Sequence, residues 1–260
     1  MKQNINHLWN YRELLIAFTL REIKIRYKQT LLGASWAILQ PAALTIIFSI
    51  VFGIFLKVTS GDVPYPIFAY SALLPWTFFA TSISFGALSV VNNGNLVTKV
   101  YFSREILPFA AVGAAFIDFL SASSIFLLMF LIYKVSVSPV ILYVVIIIPA
   151  ILLLTTGISL IFSTLNVMFR DIRFVVPLVL QIWLYLSPVI YSIDQVPEKF
   201  RIFYVLNPMA PLIQSFRDVT VFGKTPNIVE LSSAIVTSLL IFVVGYLFFK
   251  SKEKMFADVI

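Results

Sequence analysis

Cysteine is absent from the 260-residue chain, and histidine occurs once, as His7. The missing thiols exclude a disulfide framework, thiolate metal sites and a cysteine nucleophile. With a single imidazole near the N-terminus, the sequence predicts neither a zinc centre nor a histidine base in the interior. Charge is scarce as well, at 12% of residues against roughly 25% in soluble domains. These shortages point away from a soluble enzyme.

Apolar side chains are abundant where charged ones are scarce. They account for 60% of the chain, give a mean hydropathy of +0.97, and form runs of the roughly 20 residues that a helix needs to cross a bilayer. The predicted fold is an all-α integral membrane protein with six transmembrane helices. The predicted spans cover residues 31–56, 66–91, 106–133, a run from the 134–139 turn to about 165, 174–191 and 229–249.

The first 30 residues lack a long apolar run, but Ile16, Leu20 and Ile23 recur at three- and four-residue steps. This spacing is typical of an amphipathic helix on a membrane surface. No signal peptide is predicted, because no short apolar core with a cleavage site follows the first two residues. We expect one transmembrane domain over 1–260, with an amphipathic arm (1–30), a helical core (31–249) and a tail (250–260).

The basic charge has an uneven distribution. The arm, the 92–105 loop, the 166–173 loop and the tail carry thirteen of the 19 Lys and Arg residues. The positive-inside rule therefore places both termini in the cytoplasm. Because topology accounts for the net charge of +7, no nucleic-acid partner is predicted.

The segment 192–227 breaks the plain six-helix pattern. It is rich in proline and aromatic residues and too apolar for an ordinary loop. Two short re-entrant helices in the outer leaflet, split near Asn207-Pro208, fit it better. Backbone of that kind is tolerated where protein or a water-filled cavity surrounds it.

The sequence offers little catalytic chemistry. Gly223-Lys224-Thr225 resembles the end of a phosphate-binding loop, but Asp218 occupies the position of the required glycine and Pro226 follows. No ATP site and no metal site are predicted. Asp118 lies within the third span, where an ionisable residue is a functional hypothesis. A structural hydrogen bond to a neighbouring helix explains it equally simply.

Polar residues form stripes at helical spacing in three of the spans. The spacing favours interhelical packing in the second span and the fourth, at Thr77, Thr81 and Ser84, and at Thr156, Ser159, Ser163 and Asn166. In the fifth span the stripe includes a tyrosine and lies beside other aromatic residues, which suit sugar rings. A glycan path and packing both remain open for the residues there, Gln181, Trp183, Tyr185 and Tyr191.

Three motifs carry a resemblance to a known family. The run Leu20-Arg21-Glu22-Ile23-Lys24-Ile25-Arg26-Tyr27-Lys28-Gln29-Thr30-Leu31-Leu32-Gly33, followed by Trp36-Ala37-Ile38-Leu39-Gln40-Pro41, resembles the N-terminal signature of type-2 ABC exporter permeases for polysaccharides. These are the O-antigen (Wzm-type) and teichoic-acid exporters. Residues 166–173 are similar to the second family motif, and 187–191, 196–197 and 206–209 to the third.

The resemblance implies a permease subunit without catalysis or cofactors of its own. Two copies would form a pore in the bacterial inner membrane, each docked on one cytoplasmic ATPase subunit that binds ATP and Mg²⁺. The cargo would be a polysaccharide on an undecaprenyl-pyrophosphate carrier, of the O-antigen type found in lipopolysaccharide. A teichoic-acid exporter and a drug or lipid permease are the alternatives, with a membrane glycosyltransferase less favoured.

The resemblance and the residue patterns together give the candidate sites. The 92–105 and 166–173 loops would contact the ATPase through Lys99, Arg104, Glu105, Arg170, Asp171 and Arg173. The outer gate would include Pro197, Phe200, Phe203, Asn207 and Pro208. Clustered cations before the first span are candidates for the carrier headgroup or for a topological anchor, namely Arg21, Lys24, Arg26 and Lys28. Glu22 is also spaced to pair with Arg26.

Overall fold

The computed structural model describes residues 12–197, 199, 204 and 207–259. Within these ranges the chain forms helices and no strands. In chain order they are α1 (Arg12–Tyr27), α2 (Gly33–Phe55), α3 (Tyr65–Asn92), α4 (Gly94–Lys99), α5 (Ile106–Tyr133), α6 (Pro139–Met168), α7 (Ile172–Tyr185), α8 (Met209–Arg217), α9 (Ile228–Lys252) and α10 (Phe256–Val259).

The described residues include five helical segments long and apolar enough to cross a membrane: α2, α3, α5, α6 and the Ile228–Val259 segment that contains α9 and α10. Helix α7 has 14 residues. It spans about 21 Å at 1.5 Å per residue, less than the roughly 30 Å of a hydrocarbon core. The predicted fifth span therefore ends early as a helix, because Pro188 disfavours helical backbone at the residue before it.

The closest helix packing joins α6 to α9 and depends on two glycines. A methyl group on Gly157 would lie 2.7 Å from the backbone of Phe242, and one on Gly245 would overlap the carbonyl of Gly157. In a membrane, where lipid is as apolar as leucine, such backbone approach is a main source of helix association.

The polar stripe of α6 packs against α3. Ser159 Oγ donates to the carbonyl of Ser82 over 3.3 Å, and Asn166 Nδ2 donates to the carbonyl of Ala87 over 3.0 Å. The packing interpretation of the fourth-span stripe agrees with these buried contacts. Helices α3 and α6 thus form the inner part of the bundle.

Helix α1 does not rest on the membrane surface alone, because it also packs along α5. Thr19 lies over Gly113, where an added methyl group would be 3.1 Å from its hydroxyl. Ile16, Leu20 and Ile25 are more than half exposed. The described part of the arm therefore has one side on the bundle and apolar side chains on its open side.

Candidate functional site

A cavity of about 500 Å³ opens between the C-terminal end of α1 and helices α2, α3 and α5. Its wall mixes charged, hydroxyl and aromatic groups, an unusual lining inside so apolar a bundle. Its charged, polar and aromatic lining residues include Arg26, Tyr27, Gln40, Thr77, Thr81, Ser84, Phe85 and Asp118.

An ion pair lies at one end of this cavity. Arg26 of α1 hydrogen-bonds to Asp118 of α5, and the two side chains are 10% and 17% exposed. The Arg26 guanidinium carbon also lies 3.9 Å from the centroid of the Phe85 ring. Among the residues that the structure describes, Asp118 thus bonds to α1 and not to a Ser or Thr hydroxyl, and Arg26 pairs with Asp118 and not with Glu22.

Tyr27 also hydrogen-bonds to the Asp118 carboxylate. Its hydroxyl donates to Asp118 Oδ1 over 2.8 Å. Burial, and secondly this hydrogen bond, raises the pKa of Tyr27 to about 12. The phenol therefore stays protonated across the physiological range and remains a donor to Asp118.

Arg26 keeps unused hydrogen-bonding capacity. Its Nε and Nη2 atoms are buried and have no hydrogen-bond partner among the described residues. A guanidinium offers its donors in a planar fork that matches the oxygens of a carboxylate or phosphate. Because both atoms are buried, an anion in the cavity would reach these donors only after the Arg26 side chain moves from its place against Asp118 and Phe85.

The stripe of α3 forms the polar wall beside the ion pair. Thr77, Thr81 and Ser84 all line the cavity, and Gln40 of α2 also lines it. Thr77 Oγ1 donates to the carbonyl of Leu74 over 3.1 Å, which leaves its oxygen able to accept. The structure does not confirm the packing interpretation of this stripe, because the three side chains line a cavity between α3 and its neighbouring helices.

The other candidate headgroup cations lie outside the cavity. Arg21 donates to Asn93 Oδ1 over 2.8 Å at the end of α3, and Lys24 and Lys28 are exposed. Arg26 differs because it is five residues from Arg21 and so lies off their shared face. The position of Arg26 off that face and the lone carboxylate of Asp118 in the third span were the features of the sequence that could have indicated the Arg26–Asp118 pair. Tyr27 and Gln40 had no such signal.

The C-terminal end of α7 is held by an asparagine. Asn207 is buried, accepts a 2.8 Å hydrogen bond from Trp183 Nε1 and donates over 2.9 Å to Ser187 Oγ. Trp183 is therefore engaged in a protein contact, whereas Gln181 and Tyr185 are exposed. The Asn207 amide joins two parts of the third motif to each other.

The remaining outer candidates divide by burial. Tyr191 donates to the carbonyl of Tyr185 over 2.7 Å and contacts the Tyr204 hydroxyl. Pro197 is exposed and Pro208 is buried. Phe200 and Phe203 lie outside the described residues. Helix α8 begins directly after Asn207-Pro208, as the split in this segment predicts.

Sequence reasoning missed Arg217, at the end of α8. The side chain is 0% exposed and donates to the carbonyls of Pro188, over 2.8 Å, and Val189, over 3.2 Å. Its guanidinium carbon lies 3.9 Å from the Phe68 ring centroid. A single basic residue at the end of a short helix that follows Pro208 was the signal that could have marked it.

The candidates for ATPase contact fall into two groups. Glu105 is buried against Lys250, and Arg104 hydrogen-bonds to Glu253 near the end of the chain. The other four are exposed on loops or helix ends, at Lys99, Arg170, Asp171 and Arg173. The first group is therefore bonded within the chain, whereas the second is accessible to a partner protein.

Comparison with known proteins supplies the family. The model of the ABC-2 type transporter family matches residues 13–221. The chain is 31% identical over 264 residues to the O-antigen export system permease protein RfbA of Klebsiella pneumoniae, covering 100% of this chain and 98% of the relative. It is 27% identical to the protein of the same name from Myxococcus xanthus, covering 98% of each chain.

A more distant relative widens the comparison. The polysialic acid transport protein KpsM of Escherichia coli is 24% identical over 245 residues, covering 92% of this chain and 93% of the relative. The similarity thus extends across nearly the whole chain and includes the α1–α5 cavity as well as the 92–105 and 166–173 loops. The chain belongs to the ABC-2 type transporter family.

Proposed function

We propose that this chain is the permease subunit of an ATP-driven exporter of lipid-linked polysaccharide of the O-antigen type. Two copies form the pore in the bacterial inner membrane, and each docks on a cytoplasmic ATPase subunit that binds ATP and Mg²⁺ and hydrolyses the nucleotide. The names of the relatives, O-antigen export and polysialic acid transport, support a polysaccharide cargo over a drug or a free lipid.

The contacts at one end of the molecule support a topology with both termini in the cytoplasm. Arg21 of α1 bonds to Asn93, and Arg104 bonds to Glu253. The arm, the loop between α3 and α5 and the tail therefore share one end, which is also the end that carries most of the basic residues. Helix α7 with the turn after it makes the fifth of six crossings, and α8 re-enters the outer leaflet.

The observation that carries the proposal is the cavity at Arg26. A pyrophosphate headgroup and hydrated sugars cannot enter hydrocarbon without polar partners. Arg26 has two unused nitrogen donors, and hydroxyls of α3 continue the polar wall beside it. In our proposal the carrier's pyrophosphate binds Arg26, after exposed Lys24 and Lys28 attract it to the membrane surface.

The remaining candidates complete the mechanism. Lys99, Arg170, Asp171 and Arg173 are exposed on the cytoplasmic loops, where they can meet the ATPase. On α7 the exposed Gln181 and Tyr185 can face the glycan across the dimer. The outer gate is the segment around Asn207, whose buried amide holds α7 against α8.

The experiment follows lipid-linked glycan in cells that lack this gene but keep its ATPase partner. Radiolabelled sugar should collect in cytoplasmic lipid-linked glycan and disappear from the surface, and the wild-type gene should restore it. Surface glycan that does not change in the deletion strain would refute the polysaccharide cargo and favour a drug or lipid substrate.

A further inference from the structure

The end of the chain folds back onto the loop that joins α3 to α5. Glu253 Oε1 accepts a 2.9 Å hydrogen bond from the backbone N–H of Arg104, and its Oε2 accepts one of 2.9 Å from Lys250. The Arg104 guanidinium donates to the Glu253 carbonyl and, over 3.3 Å, to the carbonyl of Val97. Backbone and side chains of the loop are thus both tied to the tail.

An apolar contact reinforces these polar ones. Phe256, in α10, is 1% exposed, and its ring lies 5.1 Å from that of Phe249. It belongs to the same buried cluster as Val97 of α4 and Leu107 of α5, and α10 contacts α4 directly. The buried Phe256 ring therefore anchors α10 against α4 and α5.

The loop held in this way presents an uncovered apolar tip. Tyr101 is fully exposed and Val100 is about half exposed, at 52%, with Lys99 beside them. Exposed tyrosines are enriched among the residues that dominate protein–protein binding. A loop already fixed before docking loses less conformational freedom when its partner binds.

We propose that residues 250–259 are a positioning element for the 97–105 loop, through which Glu253 and Phe256 set the orientation of Tyr101 toward the ATPase. The inference rests on the proposed function, because it takes the ATPase as the loop's partner. It also assigns Arg104 and Glu105 a role inside the chain: both connect the loop to the tail, and neither needs to contact the ATPase.

The test uses the full-length permease reconstituted with its ATPase. Because the chain has no cysteine, Lys99→Cys provides one site for a spin label at the end of α4. Phe256→Ala removes the buried ring, and Met255→Ala, at a neighbouring exposed apolar residue, is the matched control. Glu253→Gln probes the polar contacts independently in case Phe256→Ala does not fold.

We expect Phe256→Ala and Glu253→Gln to increase the mobility of the label and to lower glycan export per ATP hydrolysed by about threefold to tenfold. Met255→Ala should match the wild type in both, and Phe256→Leu should restore part of the loss. An unchanged spectrum at Lys99→Cys in both tail variants overturns the inference, whether or not export falls. If the wild-type permease neither retains the ATPase nor exports glycan, the proposed function itself fails.

Discussion

Two arginines lie under aromatic rings in this protein, and their surroundings differ. Arg26 and Arg217 each place the guanidinium carbon 3.9 Å from a phenylalanine ring centroid, that of Phe85 and of Phe68 respectively. Arg26 pairs with the side chain of Asp118 at the edge of a cavity. Arg217 is completely enclosed and bonds to backbone carbonyls.

The difference separates a site that can exchange partners from one that cannot. The carbonyls of Pro188 and Val189 belong to the turn after α7, so Arg217 can leave them only if the outer segment rearranges. Asp118 is a side chain that can rotate, and the adjoining cavity offers space for another anion. We therefore assign Arg217 to stability and Arg26 to the cargo. The predictions below test this assignment.

The largest effect is expected at Arg217. Arg217→Met keeps much of the side-chain volume but removes the hydrogen bonds to the carbonyls of Pro188 and Val189 and a longer one, of 3.3 Å, to Gln214 Oε1; a hydrogen bond to a charged group contributes about 1.5–3 kcal/mol. We expect a loss of about 3 kcal/mol in stability and a clear drop in the melting temperature of the purified protein in detergent. Arg217→Lys, with one ammonium in place of a fork, should fall between. A melting temperature equal to that of the wild type would show that these carbonyls do not need the guanidinium.

Lys250 tests whether a cation that pairs with a carboxylate contributes as much to stability as Arg217, which bonds to backbone carbonyls. Its Nζ lies 2.6 Å from Glu105 Oε2, and the two side chains are 28% and 3% exposed. Lys250→Met leaves the Glu105 charge buried without compensation, which we expect to cost about 2 kcal/mol, less than for a fully buried pair. Adding Glu105→Gln should recover part of that loss in the same melting assay. Equal melting of the single and double variants would mean that the pair is already broken in solution.

Asp118 gives the sharpest test of the cavity, because two changes should move binding in opposite directions. Asp118→Asn removes the anion that competes for Arg26, so affinity for a short-chain polyprenyl pyrophosphate should rise about fivefold, or about 1 kcal/mol. Arg26→Gln should lower it. Stability should fall by only about 1 kcal/mol in each case, since the pair borders a cavity. Direct binding in detergent checks both, and weaker binding in both variants would show that the intact pair, and not free Arg26, forms the site.

The sequence was most informative where the signal is local. Apolar runs predicted α2, α3, α5, α6 and α9 close to their observed bounds, because backbone hydrogen bonding in a membrane forces such runs into helices. It was less informative for α7, where Pro188 ends the helix before the apolar run ends. Composition does not show where a span loses its helical backbone.

The site itself depends on contacts that no local pattern contains. Arg26 and Asp118 each stood out in the sequence, but their pairing joins residues 92 positions apart and follows from the packing of α1 along α5. The same holds for Arg104 and Glu105, which were predicted to contact the ATPase but bond to Glu253 and Lys250, 149 and 145 positions away in the sequence. The α3 stripe shows the same limit, because helical spacing identifies a face but not whether a cavity or a packed helix lies opposite it.

The smallest effect is expected at the exposed cations, and it separates attraction from binding. Lys24 and Lys28 lie at the surface, so replacing both with Ala should change stability by less than about 0.5 kcal/mol. Each should weaken capture of the anionic headgroup by at most about 1 kcal/mol, and that loss should fade as salt screens the surface.

Arg26 is 10% exposed and its charge is screened much less by salt. In a titration with sodium chloride, the binding curve of the double lysine variant should therefore converge with that of the wild type at high salt, while the Arg26→Gln curve stays below both. If the Arg26→Gln curve also converged, Arg26 would act as one more surface charge, and the distinction between the cavity and the membrane surface would be lost.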